Sequence, residues 1–93
     1  LISTKLFNAY PNPFNSKTNV PFSLEKQSTV EIEIYNLLGQ KIITLLSDSK
    51  SKGAHLVSWN GRDENGREVA GGVYFCRMRT PNYTQMIKLV YVK

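Results

Sequence analysis

The sequence predicts an all-β fold, a two-layer antiparallel sandwich, and three observations carry the prediction. Apolar residues alternate with polar ones instead of recurring every three or four positions. Turn signals rich in Gly, Asn and Pro interrupt these runs about every ten residues, the spacing of short sandwich strands. The 93 residues suffice for one such domain but are too short for a barrel or doubly wound enzyme fold.

Taken in order, Val20, Phe22 and Leu24 alternate with Asn19, Pro21 and Ser23. Pro21 cannot donate to a ladder, so this strand is expected at an edge or with a bulge. Val30, Ile32 and Ile34 alternate with Glu31, Glu33 and Tyr35, a one-sided strand. A turn follows at Asn36-Leu37-Leu38-Gly39-Gln40, with Gly39 free to take positive φ. The return strand, Lys41 to Leu46, is apolar on both faces and its inward side stays open. Residues 47–53 are small and polar and read as a loop. His55, Val57 and Trp59 then share one face of a strand, and Trp59 is expected to plug the core. Residues 60–72 hold Asn60-Gly61, Asn65-Gly66 and Gly71-Gly72, three turn signals.

The last two strands, Val73 to Arg79 and Thr84 to Val92, flank a turn at Thr80-Pro81-Asn82-Tyr83. If 79 pairs with 84, one face collects Tyr74, Cys76, Met78, Ile87, Leu89 and Tyr91, a core face. The other collects Phe75, Arg77, Arg79, Met86, Lys88 and Val90. A slip of one residue would destroy this segregation. The outer face is basic and partly apolar, the most distinctive surface in the sequence.

Net charge is +5. The excess lies in residues 1–30 and 61–93, with Arg77, Arg79, Lys88 and Lys93 near the end. Such a charge suits an anionic partner without choosing one. Phe75, Arg77 and Arg79 partly fit a nucleic-acid platform, and Tyr35 and Phe75 could stack on sugars, but a solvated face is the simpler reading. His55 would need Ser or Cys beside it in space to form a nucleophile–base pair; the single Cys76 sits on a nonadjacent element and reads as a small buried hydrophobe, and His55 as a half-buried strand residue. No motif for a metal, phosphate or dinucleotide is present, so no cofactor and no catalytic residue is assigned. Asp63 to Glu68 has part of a calcium loop's order but lacks the closing ligand, and reads as a tight turn. No apolar run reaches the length of about 20 residues that spans a bilayer. The chain opens Leu1-Ile2-Ser3, which suggests a piece of a larger protein. Residues 1–6 are expected to be the end of a linker and residues 7–93 the domain.

Five blocks, taken together, carry a resemblance. Tyr10-Pro11-Asn12-Pro13-Phe14-Asn15 is one, and Tyr35-Asn36-Leu37-Leu38-Gly39-Gln40 another. Trp59-Asn60-Gly61-Arg62-Asp63 with Gly66 is the third, Ala70-Gly71-Gly72-Val73-Tyr74-Phe75 the fourth, and Lys88 to Lys93 the last. In this order they resemble the type A C-terminal sorting domain of the type IX (Por) secretion system. The resemblance implies an immunoglobulin-like sandwich of about seven strands, similar to the domain of flagellar hook-capping proteins. It also implies a non-catalytic signal at the C-terminus of a secreted bacterial protein, typical of Bacteroidetes. The implied partners are the outer-membrane translocon, a sortase-like surface peptidase, and a preceding cargo domain such as a polysaccharide-degrading enzyme or a peptidase. The implied location is secreted or attached to the outer-membrane surface, reached through the periplasm. A chain ending on the strand at Lys93 fits a terminal signal. The competing reading is a structural spacer or carbohydrate-associated module of a secreted glycosidase. Phe75, Arg77, Arg79, Met86, Lys88, Val90 and Lys93 are the residues expected to meet the translocon.

Overall fold

The computed structural model describes residues 2–93. Seven strands form in chain order: β1 (Lys5–Leu6), β2 (Thr18–Leu24), β3 (Ser28–Asn36), β4 (Lys41–Lys50), β5 (Gly53–Trp59), β6 (Gly72–Thr80) and β7 (Tyr83–Tyr91). A three-stranded sheet in the order β1-β2-β5 faces a four-stranded sheet in the order β4-β3-β6-β7. Every strand pairing is antiparallel.

Period-two alternation builds the core as expected. Val20, Phe22 and Leu24 from one sheet meet Val30, Ile32, Ile34, Cys76, Met78 and Leu89 from the other, all buried. Each large aliphatic or aromatic side chain buried this way contributes about 1.5–3 kcal/mol. Trp59 lies at one end of the core, 1% exposed. Its ring stands edge-on to Tyr74 at 5.1 Å and tilted to Phe14 at 5.6 Å. Its indole N–H donates to the Arg62 carbonyl at 2.9 Å, so the one polar atom of the plug is satisfied.

The hairpin of β6 and β7 has the register read from the sequence, with Arg79 opposite Thr84, Cys76 opposite Ile87 and Tyr74 opposite Leu89. Other expectations change. Residues 47–53 are not a loop: β4 runs on to Lys50, opposite Ser28 to Glu31, and β5 already starts at Gly53. Backbone pairing with β3 holds this tail, although its side chains give no apolar signal. Nor is β2 an edge strand, since β1 and β5 flank it. The Pro21 carbonyl accepts from Phe7 N–H at 3.0 Å, so the missing donor of Pro21 faces the side where two-residue β1 has already ended. Lys5–Leu6 is a strand and Leu6 is 1% exposed.

The open question of β4 has a physical answer. Its pairing with β3 shifts register twice, leaving Leu45 and Ile42 as extra residues. Each bulge exchanges the faces, so Ile42, Ile43, Leu45 and Leu46 all become partly buried. Simple alternation fails there.

Three polar side chains stand in for missing strand neighbours. Gln85 brackets Leu6 of β1, accepting from its N–H at 2.9 Å and donating to its carbonyl at 2.8 Å. Asn12 does the same for β7, donating to Lys88 O and accepting from Val90 N–H, both at 2.9 Å. Glu64 serves β4, its backbone N–H donating to Ile42 O at 3.2 Å and its carboxylate accepting from Thr44 N–H at 2.9 Å. Such local caps blunt edges that would otherwise pair with other chains.

Candidate functional site

The outer face of the four-stranded sheet carries most of the residues singled out from the sequence. Across β3, β6 and β7, one row reads Tyr35, Phe75, Lys88, the next Glu33, Arg77, Met86, and the next Glu31, Arg79, Thr84. Val90 extends the face beside Val73. Met86 and Lys88 are exposed, while Phe75, Arg77 and Val90 are half-buried. Lys93 is not part of this group: it lies past β7 and pairs with Glu68 at 3.0 Å.

The two arginines are not free cations. Arg77 Nη2 donates to Glu33 Oε1 at 2.9 Å and to the Tyr35 hydroxyl at 2.6 Å. The Tyr35 hydroxyl in turn donates to Glu33 at 2.8 Å, and the guanidinium lies 4.8 Å from the Tyr35 ring centre. Arg79 donates through Nε to Glu31 at 3.0 Å and also through Nη2. The alternation put Glu31 and Glu33 on the side of β3 opposite its apolar residues but could not show this pairing, because the β3–β6 register brings together residues more than 40 positions apart. Burial raises the Glu33 pKa, but hydrogen bonds from Arg77 and Tyr35 and the nearby charges of Arg77 and Arg79 outweigh it, and the net shift is downward. Tyr35 is pushed up, by burial first and then by the adjoining Glu33 carboxylate. Arg77 Nε is buried without a partner among the described residues.

Beside this ion pair lies an open groove of about 280 Å³, lined by Tyr35, Leu37, Phe75, Arg77 and Met86. One wall belongs to the β3–β4 turn, which is locked from within. Asn36 Oδ1 accepts from Leu38 N–H at 2.9 Å and Gln40 N–H at 3.0 Å, and Asn36 Nδ2 donates to Gln40 Oε1 at 2.8 Å. Gly39, at φ +80°, completes a bend that a side chain would resist. The locked turn holds Leu37 at 67% and Leu38 at 83% exposure. These leucines were read only as turn residues. The available signal was two large apolar side chains between Asn and Gly, where turn chemistry asks for neither.

The remaining candidates resolve structurally. His55 stacks on Phe22 at 5.2 Å, and its Nε2 lies 2.8 Å from Ser51 O. Cys76 is buried on the opposite sheet, and burial pushes its thiol up to about 12. Asp63 closes the tight turn, its Oδ1 accepting from Asn65 and Arg67 N–H at 2.9 and 3.0 Å. The Arg67 N–H, ahead of the other contributions, lowers its pKa. Among the described residues no group of three His, Cys, Asp or Glu side chains is placed to hold a metal.

The motif residues also have positions that explain them. Pro11 O accepts from the Thr18 hydroxyl at 2.7 Å. The Tyr10-Pro11 and Asn12-Pro13 peptides are cis. Phe14 stacks on Tyr91 at 5.0 Å, and its backbone bridges Val90 O and Val92 N–H at 2.9 and 2.8 Å. Tyr10 and Asn15 stay exposed. Gly61 packs under Tyr91, Gly66 shapes an open turn, and Gly72 starts β6 at φ +151°. The opening block therefore clamps the final strand.

Residues 8–93 match the family described as the secretion system C-terminal sorting domain. The chain belongs to this family. Two solved structures share the fold of the sorting domain. Dimeric latent PorU from Porphyromonas gingivalis is 16% identical with a TM-score of 0.70, over 99% of this chain and 10% of that one. PorZ, an essential surface component of the type-IX secretion system of the same organism, is 21% identical with a TM-score of 0.60, over 97% of this chain and 11% of that one. The sorting domain thus spans about a tenth of either relative's length. No match was found among curated proteins. The family is that of type IX sorting signals, and proteins that bear such domains are secreted to the cell surface.

Proposed function

We propose that this domain is a non-catalytic signal that directs a larger bacterial protein through the type IX outer-membrane translocon to the surface. Its partners are the translocon, a sortase-like surface peptidase and a cargo domain joined ahead of it. The observation that carries the reading is the family match over residues 8–93. The proposed recognition surface is the outer face of β6 and β7, with Phe75, Arg77, Arg79, Met86, Lys88 and Val90. We add to it the Leu37–Leu38 turn that walls the groove. Lys93, paired with Glu68, is left out.

The test is export. Residues 1–93 are fused behind a fluorescent protein carrying an ordinary export signal, in a type IX strain and in its translocon-deficient mutant. Fluorescence at the surface or in the medium of the first strain alone is the expected result. Periplasmic retention of folded fusion in both strains defeats the reading. Charge reversal at Arg77 is a poor probe of the surface, because it would set a third acid beside Glu33 and Glu31. Met86→Glu with Lys88→Glu changes two exposed side chains instead. Normal export of that folded double variant would remove this face from consideration.

A further inference from the structure

β7 is the outermost strand of its sheet, and its free edge is only half covered. The Val90 N–H and C=O bond Asn12 and Phe14, the Val92 N–H bonds Phe14, and the Lys88 C=O bonds Asn12. These even-numbered residues therefore turn their peptide groups away from β6. The β6–β7 register is unbroken, so alternation points the N–H and C=O of Thr84 and Met86, and the N–H of Lys88, the same way. Among the described residues none of these groups has a partner. Thr84, Met86 and Lys88 are all exposed. The other edge of the sheet differs: β4 is bulged twice, which spoils it as a template.

The geometry points to Thr84–Lys88 of β7 as a docking site for an extended segment of a partner protein. The segment adds as one more strand and presents an apolar residue beside Met86 and an acidic residue two positions away beside Lys88. Three observations select this occupant. The same edge already takes main-chain pairing, since the Phe14 backbone bonds Val90 O and Val92 N–H in a parallel bridge to Tyr91, while the Asn12 side chain bonds Lys88 O and Val90 N–H, and the new strand continues along that edge. β7 contains no acidic residue, and Lys88 has no ion-pair partner among the described residues. The net charge of +5 on each chain favours an acidic partner over a second copy of the domain. Main-chain bonds would supply affinity and the two side chains specificity. The inference rests on the edge and its charge, independent of the sorting role.

The probe is the capped peptide acetyl-Thr-Glu-Thr-Val-Thr-Glu-Thr-amide, which holds Val two residues from Glu in either direction. It is titrated into ¹⁵N-labelled domain at low salt. Shifts centred on the Thr84, Met86 and Lys88 amides, with slower exchange at Met86, are expected. A peptide with Lys in place of Glu should bind at least tenfold more weakly. Met86→Pro deletes an outward donor and no β6–β7 bond, and should abolish binding at an unchanged fold. Lys88→Glu provides a second variant, whose preference should reverse to the Lys peptide. The proposal is overturned by an absence of shifts at millimolar peptide. Equal binding of both peptides to wild type also overturns it, as do shifts at residues 84–88 that track protein concentration without peptide, which would mean self-pairing.

Discussion

Replacing Gly61 by Ala tests the packing of the final strand. Gly61 sits at φ +74°, and a Cβ there would lie 2.7 Å from Tyr91 Cζ and 3.0 Å from both Cε atoms. The Tyr91 ring has nowhere to go, being 3% exposed, stacked 5.0 Å from Phe14 and 6.2 Å from Trp59. The left-handed backbone costs a non-glycine residue about 1–2 kcal/mol, and overpacking adds about 1–3 kcal/mol. The sum is about 2–5 kcal/mol, and at about 4–8 °C per kcal/mol for a domain of this size the Tm should fall by at least about 8 °C. Gly66 is the control, with φ +76° and nothing within 4 Å of the added Cβ. Gly66→Ala should cost the backbone share alone, about 1–2 kcal/mol. Thermal and denaturant unfolding of both variants gives the difference. In Gly61→Ala combined with Tyr91→Leu, the loss should be smaller than the sum of the single losses by about 1–3 kcal/mol. Equal Tm values for the two alanine variants would refute the steric account of Gly61.

Four other outcomes are expected. Glu33 has a lowered pKa, so its ionised form stabilises the fold above the ordinary carboxylate value and this contribution is lost as pH falls through the folded-state pKa. The stability gap between wild type and Glu33→Gln should therefore close as pH drops below 4.5, as read by urea midpoints across pH. Asn12→Ala removes both bonds to β7 and should cost about 1–2 kcal/mol, with faster amide exchange at Val90. Cys76, fully buried with its thiol pushed up to about 12, should react with a thiol reagent at least about a thousandfold more slowly than the unfolded chain, a factor matching a stability of about 5 kcal/mol. Leu37→Ser with Leu38→Ser should leave stability within about 0.5 kcal/mol of wild type, while export of the fluorescent fusion drops.

The last hairpin was legible because each strand alternates cleanly and a short turn fixes the register. β3 was legible for the same reason. Residues 47–50 were missed because their pairing is a backbone property, carried by β3 and silent in side chains that stay mostly exposed. The faces of β4 were hidden by two bulges, which no local pattern announces. Pro21 misled because its sheet position depends on where β1 stops, a matter of two residues. The register placed Phe75, Arg77, Arg79, Met86, Lys88 and Val90 on one face but not Lys93, and it gave no sign of the arginines' pairing. Whether Arg77 is free or paired depends on which strand lies beside β6, and that is a long-range fact.

That pairing changes how the surface can recognise anything. Two free arginines would steer an acidic partner from a distance, and binding would weaken steeply with salt. With Arg77 spent on Glu33 and Tyr35, and Arg79 on Glu31, most of that field is cancelled before a partner arrives. What remains is Lys88, the charge on this face without an ion-pair partner among the described residues, beside Phe75, and the apolar Met86 beside the paired Arg77. The locked turn adds Leu37 and Leu38 at their margin. A partner therefore gains mainly from burying apolar area against a preformed shape, with Lys88 orienting it. Glu33 fixes the Arg77 side chain in place, so its stem acts as part of the groove wall at little entropic cost on binding. Contact with the flat of this face, as distinct from strand addition along the β7 edge with its acidic residue at Lys88, should accordingly depend less on moderate salt than the net charge of the chain suggests, and more on Met86 and Phe75.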